Sequence, residues 1–341
     1  MGFNRFGTAA MSVAAVVASA VCVGGAPVAA EPSDPPAPIT SADFFGDSLT
    51  DAGTYGFRFT TNPGMTWAQH IAADFTQSPD PNEHVASYDD VYQGKPGISG
   101  PGGLNYAEGG ASKPYSTVSQ NPNGTPISAE VQVERYLAQH GTFKPDQLVT
   151  LYIATNDVAL NYDPRFDASL AQGLRDNQMP SAQVMAAERK RVQDAASAEA
   201  RTAEEILASG AQHLLVFKLF DLSYLPWFES TAARDYLREL TSVYNDQLVA
   251  RLPKDPHLTI LDTAAFVDDL LAYADKYGFA HGAGEDACLE SGQDYCNADA
   301  WKEPNADRTY IFVASEHLTT HAHELLADYV RKQISPGVAG S

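Results

Sequence analysis

The sequence predicts an α/β fold in which helices cover both faces of a mostly parallel sheet. Short apolar runs alternate with amphipathic stretches along most of the chain, and strands separated by helices are typical of a parallel sheet. The chain has 341 residues, of which 44% are hydrophobic and 10% aromatic, which is enough for a sizeable core. Because the sequence contains no internal repeat and no clear second domain, we predict a single domain over residues 39–335.

The predicted elements follow the apolar runs in chain order. Strands are predicted at 39–45, 148–157, 213–220 and 258–263. Helices are predicted at 65–75, 127–141, 181–210, 231–252, 264–278 and 319–334. Two intervals, 76–126 and 279–310, are interpreted as long loops, and loops of that length in a compact domain are usually functional or disordered.

The first 38 residues differ from the rest of the chain. Residues 1–30 combine a single Arg, a run of small apolar residues and a small-residue cleavage site near Ala30, which predicts a secretory signal peptide. Residues 31–38, EPSDPPAP, predict a proline-rich linker. A retained membrane anchor is the alternative for residues 1–30, and Cys22 is a weak lipid-attachment candidate because bulky Val21 precedes it. We expect a secreted protein, extracellular or periplasmic.

The chain is strongly acidic, with a formal net charge of −21 at pH 7. An acidic surface repels phosphate backbones and anionic headgroups, so we expect no nucleic-acid partner. No segment after residue 30 is long and apolar enough to span a bilayer, so we expect no stable membrane insertion. Neither a P-loop nor a G-x-G-x-x-G pattern follows a predicted strand, and no cofactor is expected.

Two cysteines, Cys288 and Cys296, follow the predicted signal peptide and lie in a loop rich in Gly and Asp. In an exported protein such a pair is expected to form one short disulfide. Zinc binding is the alternative, but two cysteines without a nearby pair of histidines make a poor zinc site. We predict no metal site elsewhere.

Candidate catalytic side chains lie near both ends of the predicted domain. Ser48, in the stretch FFGDSLTDAG, follows the first strand and is either a helix N-cap or a nucleophile held at the edge of the sheet. A nucleophilic serine needs a base, which is usually a histidine. Among nine histidines, His317 is the most suitable because it lies in a loop between the apolar YIFV and the last predicted helix.

Donors for a developing oxyanion are also present. Acyl transfer needs N–H groups aimed at the oxygen that gains charge. The turn at Ser48, the glycines at 109–110 in NYAEGGA and Asn156 in ATND can supply them. Alternatively, the glycines only permit a positive-φ turn and Asn156 only caps the segment after its strand. Because Ser48 and Asn156 both follow strands of a parallel sheet, we expect them at the same edge, where ligands bind.

Together these segments resemble the GDSL esterases and lipases, also called Ser-Gly-Asn-His hydrolases. The stretches FGDSLTDAG, NYAEGGA, ATND and YIFVASEHLTTHAHELLADYV have the character of the family's four blocks and occur in the family's order. The resemblance covers residues 40 to about 333. The stretch CLESGQDYC before the last block is similar to secreted bacterial esterases and phospholipases of this family.

The resemblance implies a three-layer α/β/α sandwich with a parallel sheet of about five strands in a flavodoxin-like order. It makes Ser48 the nucleophile and His317 the general base. It makes Asp47 and Asp157 supporting residues that fix the serine turn and the asparagine loop.

The resemblance also implies an oxyanion hole formed by the Ser48 N–H, the Gly110 N–H and the Asn156 side chain. Gly110 is preferred to Gly109 because it holds the place of the second glycine in N-x-A-x-G-G-A. Ala154 stands where the family has glycine, a change of one methyl group that leaves Asn156 in place.

A second departure concerns the histidine. Ala314 stands where the family's orienting aspartate belongs, three residues before His317, and Leu318 replaces the family's proline. An orienting carboxylate fixes the imidazole tautomer, and its loss costs up to roughly 10⁴-fold in rate when nothing replaces it. Three replacements are open, in order of preference: the Ala314 backbone carbonyl, a bound anion or water near His317, and the Glu316 carboxylate.

The predicted function is therefore secreted carboxylic-ester hydrolysis through an acyl-serine intermediate, on a small-molecule or lipid ester. Alternatives with the same chemistry are a phospholipase A or lysophospholipase, an acyltransferase and a carbohydrate deacetylase. An alternative of another class is a degenerate hydrolase fold kept as a binding protein. Aromatic residues in or near the long loops are candidates for an acyl site, with ordinary packing as the alternative: Trp67, Tyr88, Tyr92, Tyr106 and Trp301.

Overall fold

The computed structural model describes residues 38–84, 98–112, 126–290 and 292–334. The predicted signal peptide and the linker up to residue 37 lie outside these ranges, and so do Tyr88 and Tyr92. The predictions about those segments and about the domain boundaries therefore stay predictions.

Strands and helices alternate along much of the described chain. The strands are β1 Ser41–Gly46, β2 Thr61–Asn62, β3 Glu83–His84, β4 Ile98–Ser99, β5 Gln147–Tyr152, β6 His213–Phe217, β7 Leu258–Leu261, β8 His281–Asp286, β9 Cys296–Asn297, β10 Tyr310–Val313 and β11 His317–Leu318. The helices are α1 Trp67–Asp74, α2 Ala129–His140, α3 Thr155–Ala159, α4 Pro164–Arg175, α5 Ala182–Ala208, α6 Thr231–Arg251, α7 Thr263–Ala272, α8 Ala306–Thr309 and α9 Thr320–Ile334.

A parallel sheet in the order β1–β5–β6–β7 forms the centre of the molecule. Residues 104–106 run parallel to β1 on its other side. The Phe44 N–H donates to the Leu104 carbonyl at 3.0 Å, and the Tyr106 N–H donates to the Phe44 carbonyl at 2.8 Å. This irregular segment takes the fifth place, so the order matches the predicted flavodoxin-like order. The predicted α/β fold with a mostly parallel sheet is confirmed.

Helices cover both faces of this sheet, as two neighbouring residues of β1 show. Successive side chains of a strand point to opposite faces. Phe44 packs edge-on against Trp67 of α1, with ring centroids 5.7 Å apart. Phe45 packs edge-on against Tyr136 of α2 at 5.8 Å. Further out, α1 packs against α9, and α2 and α6 both pack against α5, which completes the three layers.

A smaller sheet carries the segment around His317. In it β10 pairs in parallel with β8 and antiparallel with β11, and Val313 lies opposite His317. Residues 314–316 connect β10 to β11 in a tight turn, in which Ala314 and Ser315 have φ of 52° and 67°. We call β10, this turn and β11 the histidine hairpin.

The structure corrects several parts of the predicted element order, and it adds α4, which was not predicted. The strand predicted at 148–157 ends at Tyr152, because Ala154 turns the chain with φ of 98° and α3 begins. The helix predicted at 264–278 ends at Ala272 and continues as a 3-10 turn to Gly278. The interval 279–310 contains β8, which was interpreted as loop because its sequence, HGAGED, has two glycines and little apolar character.

None of the helices in the described ranges combines the length and the apolar character that crossing a bilayer requires. Two of the aromatic acyl-site candidates are core residues. Trp67 is fully buried between Phe44 and Phe217, and Tyr106 packs on Phe45. Trp301 packs against the cluster around the two cysteines. Ordinary packing, the alternative interpretation, explains these three positions.

Candidate active site

Ser48 lies in the turn that follows β1 at the carboxyl edge of the sheet. The strand ends at Gly46, where a Cβ atom would lie 2.1 Å from the Tyr152 carbonyl oxygen of β5, so only glycine allows this approach. Gln132 of α2 accepts from the Gly46 N–H at 2.8 Å and donates to its carbonyl at 2.9 Å. The turn that presents Ser48 therefore begins from a fixed strand end.

The structure brings Ser48 and His317 together. Ser48 Oγ and His317 Nε2 are 2.9 Å apart, although 269 residues separate them. Both side chains are almost fully buried, with 5% and 3% of their surface exposed. Burial lowers the pKa of His317 to about 3, so its imidazole is neutral at ordinary pH. For the Ser48 hydroxyl to donate a hydrogen bond to Nε2, the single proton of the neutral imidazole must be on Nδ1.

The predicted orientation of His317 by the Ala314 carbonyl is wrong. Among the described residues no group forms a hydrogen bond with His317 Nδ1. The Ala314 carbonyl instead accepts from the Glu316 N–H at 2.8 Å, because positive φ at Ala314 and Ser315 turns the backbone back on itself. Glu316 is not a partner of the imidazole either, and burial raises the pKa of its carboxyl to about 8.

A carboxylate from outside the hairpin holds its turn. Asp286, at the end of β8, accepts from the N–H groups of Ala314 at 2.9 Å and Ser315 at 2.7 Å. It also accepts from the Cys288 N–H at 2.8 Å. Asp286 is buried, so these three bonds compensate its charge and fix the backbone from which His317 projects.

Asp47 links the serine turn to the segment that carries Asn156. Its carboxylate accepts from the Leu49 N–H at 3.1 Å and from the Thr155 N–H at 3.3 Å. Complete burial raises the pKa of Asp47 to about 7. The predicted supporting position of Asp47 thus corresponds to a direct contact between the two segments. Asp157 is buried in α3, next to Asn156.

The two glycines of the NYAEGGA stretch differ in their bonding. The Gly109 N–H donates to Asp51 at 2.8 Å, so it is already engaged. Asp51 also accepts from Gly53 and Thr54, both at 2.8 Å. Among the described residues the Gly110 N–H has no acceptor. This difference supports the choice of Gly110 as the donor.

Asn156 lies in α3, which follows β5. Its side-chain amide donates one bond to the Ala111 carbonyl at 2.8 Å, which ties it to the Gly110 segment, and no described residue accepts from its second N–H. Arg191 of α5 donates to the carbonyls of Asp157 and Val158, and Glu188 pairs with Arg191 at 2.8 Å. We call Ser48, Gly110 and Asn156 with their turns the nucleophile edge.

Cys288 and Cys296 form a disulfide, as predicted. The loop that they close packs against the histidine hairpin and against Phe57. The Gly292 N–H donates to Ser315 Oγ at 2.8 Å. The Tyr295 ring stacks on Phe57 with centroids 4.2 Å apart. The disulfide loop therefore lies against the turn of the histidine hairpin and against Phe57.

Several residues that build the site have no clear signal in the sequence. Asp51 is the exception. It lies inside GDSLTDAG, and a carboxylate in that turn motif could have been predicted to accept from the backbone of the turn. Asp286, Gln132 and Arg191 act across 28 to 86 residues of sequence, and nothing in their local pattern indicates a partner. Within the ranges that the structure describes, no group of three or more His, Cys, Asp or Glu side chains could hold a metal ion.

The fold and the Ser48–His317 pair define an α/β protein with the arrangement that acyl-transferring hydrolases use. The family model described as GDSL-like Lipase/Acylhydrolase matches residues 44–330. The chain therefore belongs to the GDSL-like lipase/acylhydrolase family, and the predicted resemblance is confirmed.

Two curated relatives are distant. An uncharacterized protein in the trpE–trpG intergenic region of Pseudomonas putida is 26% identical over 320 residues, which cover 88% of this chain and 49% of the relative. This chain thus spans about half the length of that protein. A phosphatidylcholine-sterol acyltransferase of Aeromonas hydrophila is 27% identical over 312 residues, covering 84% of this chain and 76% of the relative.

Proposed function

We propose that this chain is a carboxylic-ester hydrolase that works through an acyl-serine intermediate, with Ser48 as nucleophile and His317 as general base. The observation that carries the proposal is the 2.9 Å contact between Ser48 Oγ and His317 Nε2. Membership of the GDSL-like lipase/acylhydrolase family supports it. A protein that only binds ligands has no chemical need for this pair, so enzyme function is preferred to a binding role.

In the first half-reaction Ser48 Oγ attacks the ester carbonyl carbon while its proton passes to His317 Nε2. The carbonyl oxygen gains negative charge. The Ser48 N–H, the Gly110 N–H and the second N–H of Asn156 are the donors that we assign to it. Collapse of the tetrahedral intermediate expels the alcohol, which takes the proton from His317 and leaves the acyl group on Ser48.

In the second half-reaction water attacks the acyl-serine carbonyl and transfers a proton to His317 Nε2. Collapse of this second intermediate releases the carboxylic acid, and Ser48 regains its proton from His317. The pKa of His317, which burial lowers to about 3, keeps the imidazole neutral and ready to accept a proton in both steps. The imidazolium forms only together with the neighbouring oxyanion, whose charge stabilises it.

Acyl transfer to an alcohol is the second candidate function. Ser48 and His317 are 5% and 3% exposed, so a bound alcohol can compete with water for the acyl-serine. The relative named phosphatidylcholine-sterol acyltransferase supports the same candidate. Phospholipase A, lysophospholipase and carbohydrate deacetylase activities share the chemistry and differ in substrate.

We also propose that a bound anion or water accepts from His317 Nδ1. The support is that this buried nitrogen has no partner among the described residues, which removes the Ala314 carbonyl as the first choice. Activity measured in chloride and in a large, weakly coordinating anion distinguishes the two acceptors. A change of kcat with the anion supports an anion, whereas equal kcat supports water.

We propose that the protein is secreted, with cleavage near Ala30. The disulfide between Cys288 and Cys296 supports an oxidising compartment. The test is N-terminal sequencing of the protein after export from a bacterial host. A mature N-terminus near residue 31 in the medium or periplasm supports the proposal. A cytoplasmic product that begins at Met1 contradicts it.

The experiment that tests the enzymatic function measures hydrolysis of p-nitrophenyl esters of graded acyl length. We expect turnover by the wild-type chain and a loss of about 10⁴-fold or more in Ser48→Ala. A fluorophosphonate should label Ser48. Addition of an alcohol should divert part of the acyl group to a new ester if acyl transfer operates.

Ser209→Ala is the matched control. Ser209 follows α5 at the opposite edge of the sheet, and no described group bonds its hydroxyl. It should retain full turnover. Absence of both ester turnover and Ser48 labelling in a folded wild-type protein contradicts the proposed function.

A further inference from the structure

The His317 imidazole is held by one hydrogen bond at its Nε2 end. That bond to Ser48 fixes the Nε2 end of the ring but does not by itself define the ring plane. In a complete triad a carboxylate at Nδ1 fixes the tautomer and the plane. No described residue bonds Nδ1, so among the described residues packing is the contact that can hold the plane of this ring.

The side chain packed on the ring is Phe59. The centroids of the Phe59 and His317 rings are 5.1 Å apart, and the ring planes meet at 47°. This distance lies in the range of attractive aromatic pairs. Phe59 and His317 are each 3% exposed, so the contact is closed to solvent.

Phe59 is itself in close contact with Gly109. A Cβ atom on Gly109 would lie 2.0 Å from Phe59 Cζ and 2.2 Å from Cε2, so any larger residue at 109 would displace the ring. Tyr55 donates its hydroxyl to the Gly109 carbonyl at 2.8 Å and packs edge-on against Phe59 at 5.8 Å. Phe57 adds a third ring contact at 5.1 Å. These contacts restrict the position of the Phe59 ring.

We propose that Phe59 is a positioning residue that fixes the plane of the His317 imidazole by packing, and that Gly109 is glycine so that the Phe59 ring can reach it. The inference rests on the proposed function, because it explains how a serine–histidine pair can work without an orienting aspartate. It also explains why two glycines follow each other. Gly110 supplies a positive φ of 81°, whereas Gly109 supplies space.

The test compares Phe59→Leu with Phe143→Leu. Phe143 is also 3% exposed, but it packs on Tyr136 near the amino-terminal end of β5, away from the site. A misplaced catalytic group costs about 10²-fold, so kcat of Phe59→Leu should fall about 10²-fold while KM changes less than about threefold. The fluorophosphonate labelling rate should fall in parallel.

Phe143→Leu should lose thermal stability with kcat unchanged, because it loses a buried ring without touching the histidine. If folded Phe59→Leu keeps kcat within threefold of Phe143→Leu, Phe59 is only a core residue and the proposal is overturned.

A double-mutant cycle tests the role of Gly109. Gly109→Ala should lower kcat because its methyl group displaces the Phe59 ring. Phe59→Leu removes the atoms that the methyl group meets, so the double variant should lose much less than the product of the two single losses. Multiplicative losses would show that Gly109 and Phe59 act independently, which overturns the proposal.

A readout without turnover separates this inference from the proposed function. In protein labelled with ¹⁵N-histidine, the His317 imidazole resonances should be sharp in the wild type and in Phe143→Leu, and broadened or shifted in Phe59→Leu. This holds even if the wild type hydrolyses no ester. Unchanged His317 resonances in Phe59→Leu would overturn the positioning role.

Discussion

The nucleophile edge and the histidine hairpin hold their backbones with buried carboxylates, but the distances in sequence differ. At the nucleophile edge, Asp47 and Asp51 accept from N–H groups two and three residues away as well as from distant ones. At the hairpin, Asp286 lies 28 and 29 residues before the N–H groups that it binds in the turn.

The side chains also differ. Asn156 has a protein partner, since it donates to Ala111. His317 has Ser48 on one nitrogen and no described protein partner on the other. One half of the site is therefore fixed by hydrogen bonds within recognisable motifs. The other half is fixed by a distant carboxylate and by packing, so the two halves should respond differently to substitution.

The largest effect is expected from Asp286→Ala. It removes the acceptor that holds the turn of the histidine hairpin and leaves the bonds of the nucleophile edge in place. Its removal leaves the buried N–H groups of Ala314, Ser315 and Cys288 without their acceptor. We expect a loss of about 3 kcal/mol in the free energy of unfolding and a fall in kcat. Denaturant unfolding and ester turnover measure both.

Asp51→Ala is the counterpart at the nucleophile edge, because it frees the N–H groups of Gly53, Thr54 and Gly109. It should destabilise the fold by a similar amount. The backbone amide resonances of Ala314 and Ser315 should move in Asp286→Ala and stay near their wild-type positions in Asp51→Ala. Equal shifts in both variants would show that the halves are not separate.

A smaller effect is expected from Arg191→Ala. Arg191 holds the carbonyls of Asp157 and Val158 and so positions the helix that carries Asn156. Without it we expect kcat to fall about tenfold with KM nearly unchanged, because a donor to the oxyanion is displaced. Arg201→Ala, at an exposed position of the same helix, is the control. Equal kcat in the two variants would contradict the positioning of Asn156 by Arg191.

The pH dependence of kcat/KM separates the two halves through their titrating groups. Burial lowers the pKa of His317 to about 3, so the base should stay neutral and active well below pH 6.5 and lose activity only as the pH approaches about 3. Burial raises the pKa of Asp47 to about 7, so an inflection near pH 7 belongs to Asp47 and should vanish in Asp47→Asn. Burial also raises the pKa of Asp51 to about 6, so an acid limb near pH 6.5 that persists when both Asp47 and Asp51 are replaced by Asn would contradict a buried, neutral His317.

The same shifts affect stability with opposite signs. The folded-state pKa of His317 lies below its unfolded value near 6.5, so its contribution is lost as the pH falls from about 6.5 towards 3. The folded-state pKa of Asp47 lies above its unfolded value near 3.9, so its contribution is lost as the pH rises from about 4 to 7.

The smallest effects are expected at the positions beside the histidine. Ala314→Asp should leave kcat similar or raise it, since aspartate tolerates the φ of 52° found there and restores a carboxylate three residues before His317. Glu316→Gln should change kcat little, because Glu316 does not bond the imidazole. A large loss of kcat in folded Glu316→Gln would show that its carboxylate orients His317 after all.

The sequence was most informative where bonding is local. The turn around Ser48 and the two glycines were recognisable, because a tight turn after a strand requires Gly and Asp at set positions. Five helices, α1, α2, α5, α6 and α9, were predicted to within a few residues, since each has an apolar face, whereas α4 was not predicted. β8 was missed because its pairing with β10, and not its composition, makes it a strand.

The contacts of His317 also could not be predicted from the sequence. Alanine at 314 showed that the usual partner was missing, but the direction of a carbonyl depends on the backbone, and positive φ at Ala314 and Ser315 could not be foreseen. The ring of Phe59 reaches His317 across 258 residues of sequence, and only the folded chain brings the two together.

The central claim is that Ser48 and His317 act as one catalytic pair. The most direct test is the rate at which a fluorophosphonate modifies Ser48, located by mass spectrometry, in the wild type and in His317→Ala. We expect rapid labelling of Ser48 in the wild type and a fall of at least about 10³-fold in folded His317→Ala. Equal labelling rates in the two proteins, or labelling at another serine, would contradict it.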